Sequence, residues 1–239
     1  MAPWCLDSGG FTQLQRHGRW TITPADYIER VRRYRDEIGM LGWAAPQDEM
    51  CEPAIIHGGW HGGQHFVGTH RSVVQHQQAT VRNYQVLRDL APDLPIIPVI
   101  QGYTEAEYEH CCWLYEAAGV DLTTAPLVGL GSVCRRQDSV QINRIVTAIR
   151  AHGIGRLHGF GVKTLGLQRY GHLLTSADSQ AWSFDLRRKR RPVCGQPHPR
   201  GAKNCANCLP AALAWRARLL HRLATTPRQL GLDEGPDAT

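Results

Sequence analysis

Three aspartates sit where they could work on one substrate. Asp7 closes the apolar run Trp4-Cys5-Leu6 and is followed by Ser8, Gly9 and Gly10. Asp48 follows a second apolar run, 40–45, within Gln47-Asp48-Glu49, and Asp178 lies among small residues in Ser176-Ala177-Asp178-Ser179. Gathered in one pocket, carboxylates can divide a reaction: one attacks carbon, another moves protons, and a third accepts from the N–H edge of a bound base. Composition does not assign the tasks. Taken singly, Asp7 also suits a capped turn, because Asp and Ser bond their own backbone.

A second group has the chemistry of a metal site. Cys194, Cys205 and Cys208 surround a polar stretch containing Pro and Gly, and His221 follows in the helical pattern 213–223. Three thiolates and one imidazole suit a closed tetrahedral zinc that holds the C-terminal segment together; His198 is the rival fourth ligand. Just before these cysteines run Arg187, Arg188, Lys189, Arg190 and Arg191. A cationic run beside a zinc knuckle favours a polyanionic partner, although a solvated turn or a nuclear-targeting run has the same composition. His57, His61, His65 and His70 fall among the glycines of 51–70. So many glycines disfavour a stable helix, so this stretch reads as a long loop over the site.

The elements that must hold these residues alternate. Apolar residues recur at helical spacing over 24–39, 71–90, 104–118 and 138–152, with a shorter helical stretch at 165–170. Thr23 with Pro24, and Thr104 with Glu107, are helix-start signals. Between them lie compact apolar runs at 40–45, 96–100, 120–133 and 156–163. The alternation predicts an α/β protein with a mostly parallel sheet, in the form of a (β/α) barrel with about six recognisable strands. Polar groups recur just after the runs at Asp7, Asp48, Gln101, Ser132 and Lys163, and in a barrel such ends converge on one face. The expected division is a catalytic domain over 1–186 and a basic zinc-binding segment over 187–239.

The chain has 239 residues, 42% hydrophobic and 20% charged, as for an ordinary globular protein. Its apolar runs fall short of the roughly 18 residues of a membrane span. The opening lacks a basic leader and long apolar segment, so no signal peptide is expected. Eight cysteines, two of them adjacent, do not resemble a secreted disulfide scaffold, and a reducing, cytoplasmic setting is expected. Lys and Arg number 27 against 21 acids, a formal charge of +6.

Leu6-Asp7-Ser8-Gly9-Gly10-Phe11, Gln47-Asp48-Glu49, Val99-Ile100-Gln101-Gly102, Val128-Gly129-Leu130-Gly131-Ser132-Val133, His158-Gly159-Phe160-Gly161-Val162-Lys163 and Ser176-Ala177-Asp178-Ser179 follow one another in that order. With the late cysteines, they resemble the tRNA-guanine transglycosylase superfamily, nearest to its DpdA-like, deazapurine-in-DNA branch. The resemblance implies a zinc-containing variant of the (β/α)8 barrel that exchanges guanine for a 7-deazaguanine without a nucleotide cofactor. By motif position it implies Asp178 as nucleophile on the sugar C1′ and Asp7 as general acid/base. Ser8, Asp48, Gln101, Gly129 and Leu130 would contact the base. Relatives acting on tRNA build about two more strands ahead of the Asp7 motif, so the barrel is expected either to lack them or to close differently. They also carry a glutamate, tied to an exocyclic amine of the base, where Cys134 stands here, which points to the nitrile 7-cyano-7-deazaguanine. DNA, with tRNA as the alternative, the free base and auxiliary modification proteins are the implied partners, in a bacterial or phage-infected cell. A catalytically silent zinc-containing nucleic-acid-binding module is the rival from another class.

Overall fold

The computed structural model describes residues 3–134, 136, 139–199 and 201–225. The chain runs β1 (Trp4–Leu6), α1 (Gly10–His17), α2 (Pro24–Ile38), β2 (Leu41–Ala44), α3 (Pro53–His57), β3 (Gly59–His61), β4 (Gln64–Phe66), α4 (Val73–Leu90), β5 (Val99–Ile100), α5 (Glu105–Ala117), β6 (Val128–Leu130), α6 (Ser139–Ala151), β7 (Leu157–Gly159), α7 (Thr164–Tyr170), a 3-10 turn (Gly171–Leu173), β8 (Ser176–Ala177), α8 (Ala181–Arg188) and α9 (Leu209–Thr225). The helices expected over 24–39, 71–90, 104–118, 138–152 and 165–170 are therefore present with small changes of boundary. Both start signals work as caps: Thr23 accepts from Asp26 N–H, and Thr104 with Glu107 forms a reciprocal capping box.

Six of the strands are parallel and stand in chain order. β1 pairs with β2; β5, β6, β7 and β8 form a second run; and Ala44 bridges to Ile96 between the two. The result is an open arc. Among the described residues β8 does not pair with β1, so the expected barrel is not closed. The arc nevertheless curls, because Trp43 on β2 meets His158 of β7 edge-on, with ring centroids 4.6 Å apart. Each strand has only two to four residues, enough for one or two side chains on each face.

Two apolar layers hold the helices to the outside of the arc. Tyr27, Ile28 and Val31 of α2 pack with Ala44, Leu87, Leu94 and Ile96. Tyr108, Cys111 and Tyr115 of α5, with Ile142, Ile145, Val146 and Ile149 of α6, pack on Ile100, Val128, Leu130 and Leu157. A smaller cluster of Leu14, Ile55 and Phe66 secures the segment after β2.

That segment departs from the expected loop. Pro53–His57 forms a helical turn ahead of the glycines, and β3 and β4 make an antiparallel hairpin. Its two-residue turn, Gly62-Gly63, has φ of 58° and 76°, the left-handed pair that a tight hairpin of this hand requires. Glycine here builds a turn that a search for helical or long-strand periodicity passes over. The expected boundary at 186/187 falls within α8, and 226–239 of the expected second segment lie outside the described residues. No described helix is long and apolar enough to cross a membrane.

Tyr27 connects this packing to the polar segment after β2: its buried hydroxyl donates to Ala45 O at 2.6 Å. Tyr27→Phe leaves that carbonyl without its partner, and urea unfolding should show a loss of about 1–3 kcal/mol.

Candidate active site and metal centre

The strand ends converge. Asp48 is buried, and both its oxygens are bonded: Ser8 Oγ donates to Oδ1 at 2.9 Å and Gln101 Nε2 to Oδ2 at 2.6 Å. Gln101 Oε1 in turn lies 2.6 Å from Ser132 Oγ, which also accepts from Cys51 N–H at 2.7 Å. One buried polar chain thus ties the ends of β1, β2, β5 and β6 together. Gly131 makes room for it, since a Cβ there would stand 2.2 Å from Gln101 Nε2. Ser132 holds a left-handed backbone, φ 54°, a conformation costly for a residue with a side chain and one that clusters at functional sites.

Helix α4 fixes the backbone that carries these groups. His76 Nδ1 donates to Met50 O at 2.7 Å, Gln77 Nε2 to Gln101 O at 2.8 Å, and Asn83 Nδ2 to Gln47 O at 2.7 Å. Thr80 Oγ1 accepts from Glu49 N–H at 2.8 Å. Positions 76, 77, 80 and 83 share one helix face, so a polar stripe works here where an apolar one would be the rule. Burial, and then the Arg71 charge, lower His76 to about 4, so it stays neutral, accepting from Thr69 at Nε2 while donating from Nδ1. Glu49 is buried beside Arg71, which pairs with it. Apolar periodicity gave no hint of this face; the buried polar residues at helical spacing were the available signal.

Asp7 and Asp178 stand at the mouth. Asp178 is half exposed, and its Oδ1 accepts from Gly161 N–H at 2.9 Å. Asp7 keeps an open side to solvent, but protein encloses most of it. That enclosure, and then the Asp178 charge, raise its carboxyl above the ordinary value, while its own turn's N–H groups and His158 act in the opposite sense. Desolvation, followed by the Asp7 charge, pushes Asp48 up to about 7, against the bonds from Ser8 and Gln101 that favour its charged form. Near neutral pH, Asp48 can therefore present either an acceptor or an O–H donor.

The remaining expected base contacts are placed less directly. Leu130 is fully buried in the core, and its carbonyl accepts from Phe160 N–H at 3.1 Å. Gly129 faces inward beneath the Phe160 ring, which a Cβ would meet at 2.6 Å. Three residues not anticipated as site members are close by. His158 lies between Ser176 and Asp178, and Trp43 and Phe160 flank it with centroids 4.6 and 4.7 Å away.

The cysteine cluster gathers, with one change of ligand. Cys194, His198, Cys205 and Cys208 present ligand atoms all within 4.8 Å of one another. His198 Nε2 lies 3.1 Å from Cys194 Sγ and 3.5 Å from Cys205 Sγ, and Cys208 Sγ lies 3.5 Å from Cys194 Sγ. The expected fourth ligand, His221, is corrected to His198. The loop after Cys194 folds back within four residues and delivers His198, while His221 stays exposed on α9. Tetrahedral coordination sets such sulfur and nitrogen atoms roughly 3.5–3.8 Å apart, so the four residues fit a metal ion of that kind. α9 starts at the residue after Cys208 and packs on α7 and α8. Arg187, Arg188, Lys189, Arg190 and Arg191 are all exposed at the end of α8, whose first turn follows Asp178.

Fold and site together define an α/β protein with a parallel arc, acids at its strand ends and a Cys3His cluster that could hold a metal ion, preceded in sequence by a basic turn. The family model of DpdA, DeoxyPurine in DNA protein A, matches residues 1–230. The chain belongs to this family. No curated protein matches it.

Two outcomes follow from the charge and metal chemistry. Asp48 binds its proton more tightly folded, at about 7, than unfolded, at about 4, so it makes stability fall as pH rises through that window. Asp48→Asn removes this titration. Its stability relative to wild type should rise between pH 5 and 8 by up to a few kcal/mol in urea unfolding. Chelation, or Cys205→Ala, should release one metal ion per chain by elemental analysis and lower the melting temperature by several degrees.

Proposed function

We propose that this protein exchanges guanine in DNA for a 7-deazaguanine, 7-cyano-7-deazaguanine being the favoured base. The single observation that carries the reading is the approach of Asp7 and Asp178 across the open edge of the arc, in a chain of the DpdA family. A carboxylate half open to solvent can reach a sugar, and a neighbouring acid whose pKa is raised by desolvation and by the Asp178 charge is suited to moving a proton.

The chemistry runs as two displacements. An oxygen of Asp178 attacks C1′, the bond from C1′ to N9 breaks, and its electron pair leaves on the base. Asp7 supplies the proton the departing guanine takes up. The incoming base returns a proton to Asp7 and attacks C1′, and the ester bond breaks to restore the Asp178 carboxylate. Two inversions give net retention, as in a retaining glycosidase, and the sugar–phosphate backbone is never cut. Asp48, Gln101 and Ser8 form the donor and acceptor set that reads the base edge, with Gly129 and Leu130 as backbone neighbours. The Phe160 ring would have to swing off Gly129 for that last contact.

A nucleotide inside a duplex must be flipped out to reach such a site. The run Arg187–Arg191 lies one short helix from Asp178 and is suited to hold the flanking phosphates, with binding that weakens as salt rises. Zinc is the metal that a Cys3His set favours, and it would be structural, because all four positions are filled by protein. Bound there, it would hold the start of α9 to the loop that follows the basic turn.

The test is mass spectrometry of nucleosides from duplex DNA, and in parallel from tRNA, incubated with the protein and labelled 7-cyano-7-deazaguanine. Label in deoxynucleosides is the expected result, and label confined to tRNA would move the substrate to RNA. Asp178→Ala should abolish covalent trapping of DNA, and Asp7→Asn should slow exchange by about 10²–10⁴-fold. Unchanged DNA binding by both variants, with no guanine released by wild type, would indicate a silent binding module.

A further inference from the structure

His158 is a buried histidine with one nitrogen left over. It is 5% exposed on β7, directly opposite Ser176 in the register of β7 and β8. Nδ1 lies 2.9 Å from Ser176 Oγ. Nε2 is inaccessible to water and makes no hydrogen bond, yet it stands 3.5 Å from Asp178 Oδ1. Trp43 and Phe160 press on the ring, with centroids 4.6 and 4.7 Å away. They prevent it from turning elsewhere for a partner. A buried imidazole nitrogen without a bond is costly, and here it points at the acid proposed to attack the sugar.

The carboxylate settles the tautomer. A lone pair on Nε2 would repel Asp178 Oδ1, whereas an N–H attracts it, so the proton belongs on Nε2 and the Ser176 hydroxyl donates to Nδ1. Oδ1 then faces two donors, Gly161 N–H at 2.9 Å and His158 Nε2–H at 3.5 Å. Both lie on the same oxygen.

We propose that His158 is the positioning residue for Asp178, an inference that rests on the transglycosylase reading above. By engaging Oδ1, it fixes the carboxylate rotamer and leaves Oδ2 to meet C1′. When the bond from Oδ2 to C1′ forms and the bond from C1′ to N9 breaks, Oδ1 becomes the ester carbonyl and keeps its two donors. When the incoming base attacks C1′, the electron pair of the Oδ2–C1′ bond returns to the carboxylate. The His158 and Gly161 N–H groups then stabilise the negative charge that reappears. Donors already aimed at developing charge need no reorganisation at that moment. His158 touches neither sugar nor base in this role; it acts through Asp178.

The test compares His158→Phe, His158→Gln and Ser176→Ala in the full-length protein, using duplex DNA and labelled 7-cyano-7-deazaguanine. His158→Phe should lower kcat by about 10–100-fold, with KM for the free base within threefold, because base-reading groups are untouched. His158→Gln, which restores an N–H at similar reach, should recover at least a third of the loss on a logarithmic scale. Ser176→Ala, at an exposed position, should lower kcat by about three- to tenfold by freeing the ring's tautomer. If His158→Phe fails to fold, as judged by circular dichroism and melting, the Gln and Ser176→Ala variants carry the comparison. Wild-type kcat in all soluble variants, with Asp178→Ala inactive, overturns this inference alone. A rise in KM with kcat unchanged makes His158 a base contact and also overturns it. No exchange by wild type defeats the transglycosylase reading and this inference with it.

Discussion

Asp48 is taken out of water, and that constrains everything around it. A buried carboxylate needs a partner for each oxygen, and Ser8 and Gln101 supply them from opposite sides. Gln101 then needs its own acceptor satisfied, which calls on Ser132, and Ser132 reaches it only from a left-handed backbone. Gln101 can lie where it does because residue 131 has no side chain. Four strand ends are thereby set by one chain of bonds rather than by strand pairing. This matters because the strands are very short, and a ladder of two or three residues fixes direction poorly. The polar face of α4 completes the arrangement by holding the backbone of 47–50 and 101.

How legible this was in the sequence depended on the kind of signal. Helices 24–39, 71–90 and 104–118 carry apolar residues at helical spacing, the first and third also carry recognisable start signals, and local physics alone marks them. The parallel arc follows from their alternation with short apolar runs. How the arc ends is left open by the residues themselves, because closure depends on whether β8 meets β1, and no residue pattern within either strand states that. Asp7, Asp48 and Gln101 stand out because each comes just after an apolar run, and Asp178 because it lies among small residues in the last of the ordered motifs. His158 does not: it lies within the run, where alternation suggests only an inward-facing position. The α4 stripe was missed because its buried face is polar, the reverse of the usual amphipathic rule.

The metal centre shows what spacing alone leaves open. Both His198 and His221 stand at workable distances from Cys-x-x-Cys in sequence, and a helix is a common carrier of the last ligand. The four-residue return from Cys194 to His198 is decided by the local turn through Gly195 and Pro197, a three-dimensional matter. The consequence is mechanical. With His198 in the cluster, all four candidate ligands precede α9, which starts at the residue after Cys208 and contributes none from its middle. Its apolar residues Ala211 and Leu219 are then free to pack.

The site divides by depth, and the division suits base exchange. Asp48, Gln101 and Ser132 are buried and mutually bonded, a rigid set whose pattern of donors and acceptors is decided before any ligand arrives. Asp7 and Asp178 lie at the mouth, where Asp178 retains solvent contact and desolvation, followed by the Asp178 charge, raises the Asp7 carboxyl. Specific reading of a base needs fixed polar groups with no water competing for them. Attack on a sugar still joined to a polymer needs an accessible group, because the phosphates on either side cannot be buried. Among the described residues the edge between β8 and β1 is unpaired, and it brings the two requirements together: the Asp7 charge acts on Asp48, and Asp178 acts on Asp7. On the proposed function, the open edge leaves room for a polynucleotide to approach, and the exposed cationic turn follows Asp178 by one short helix.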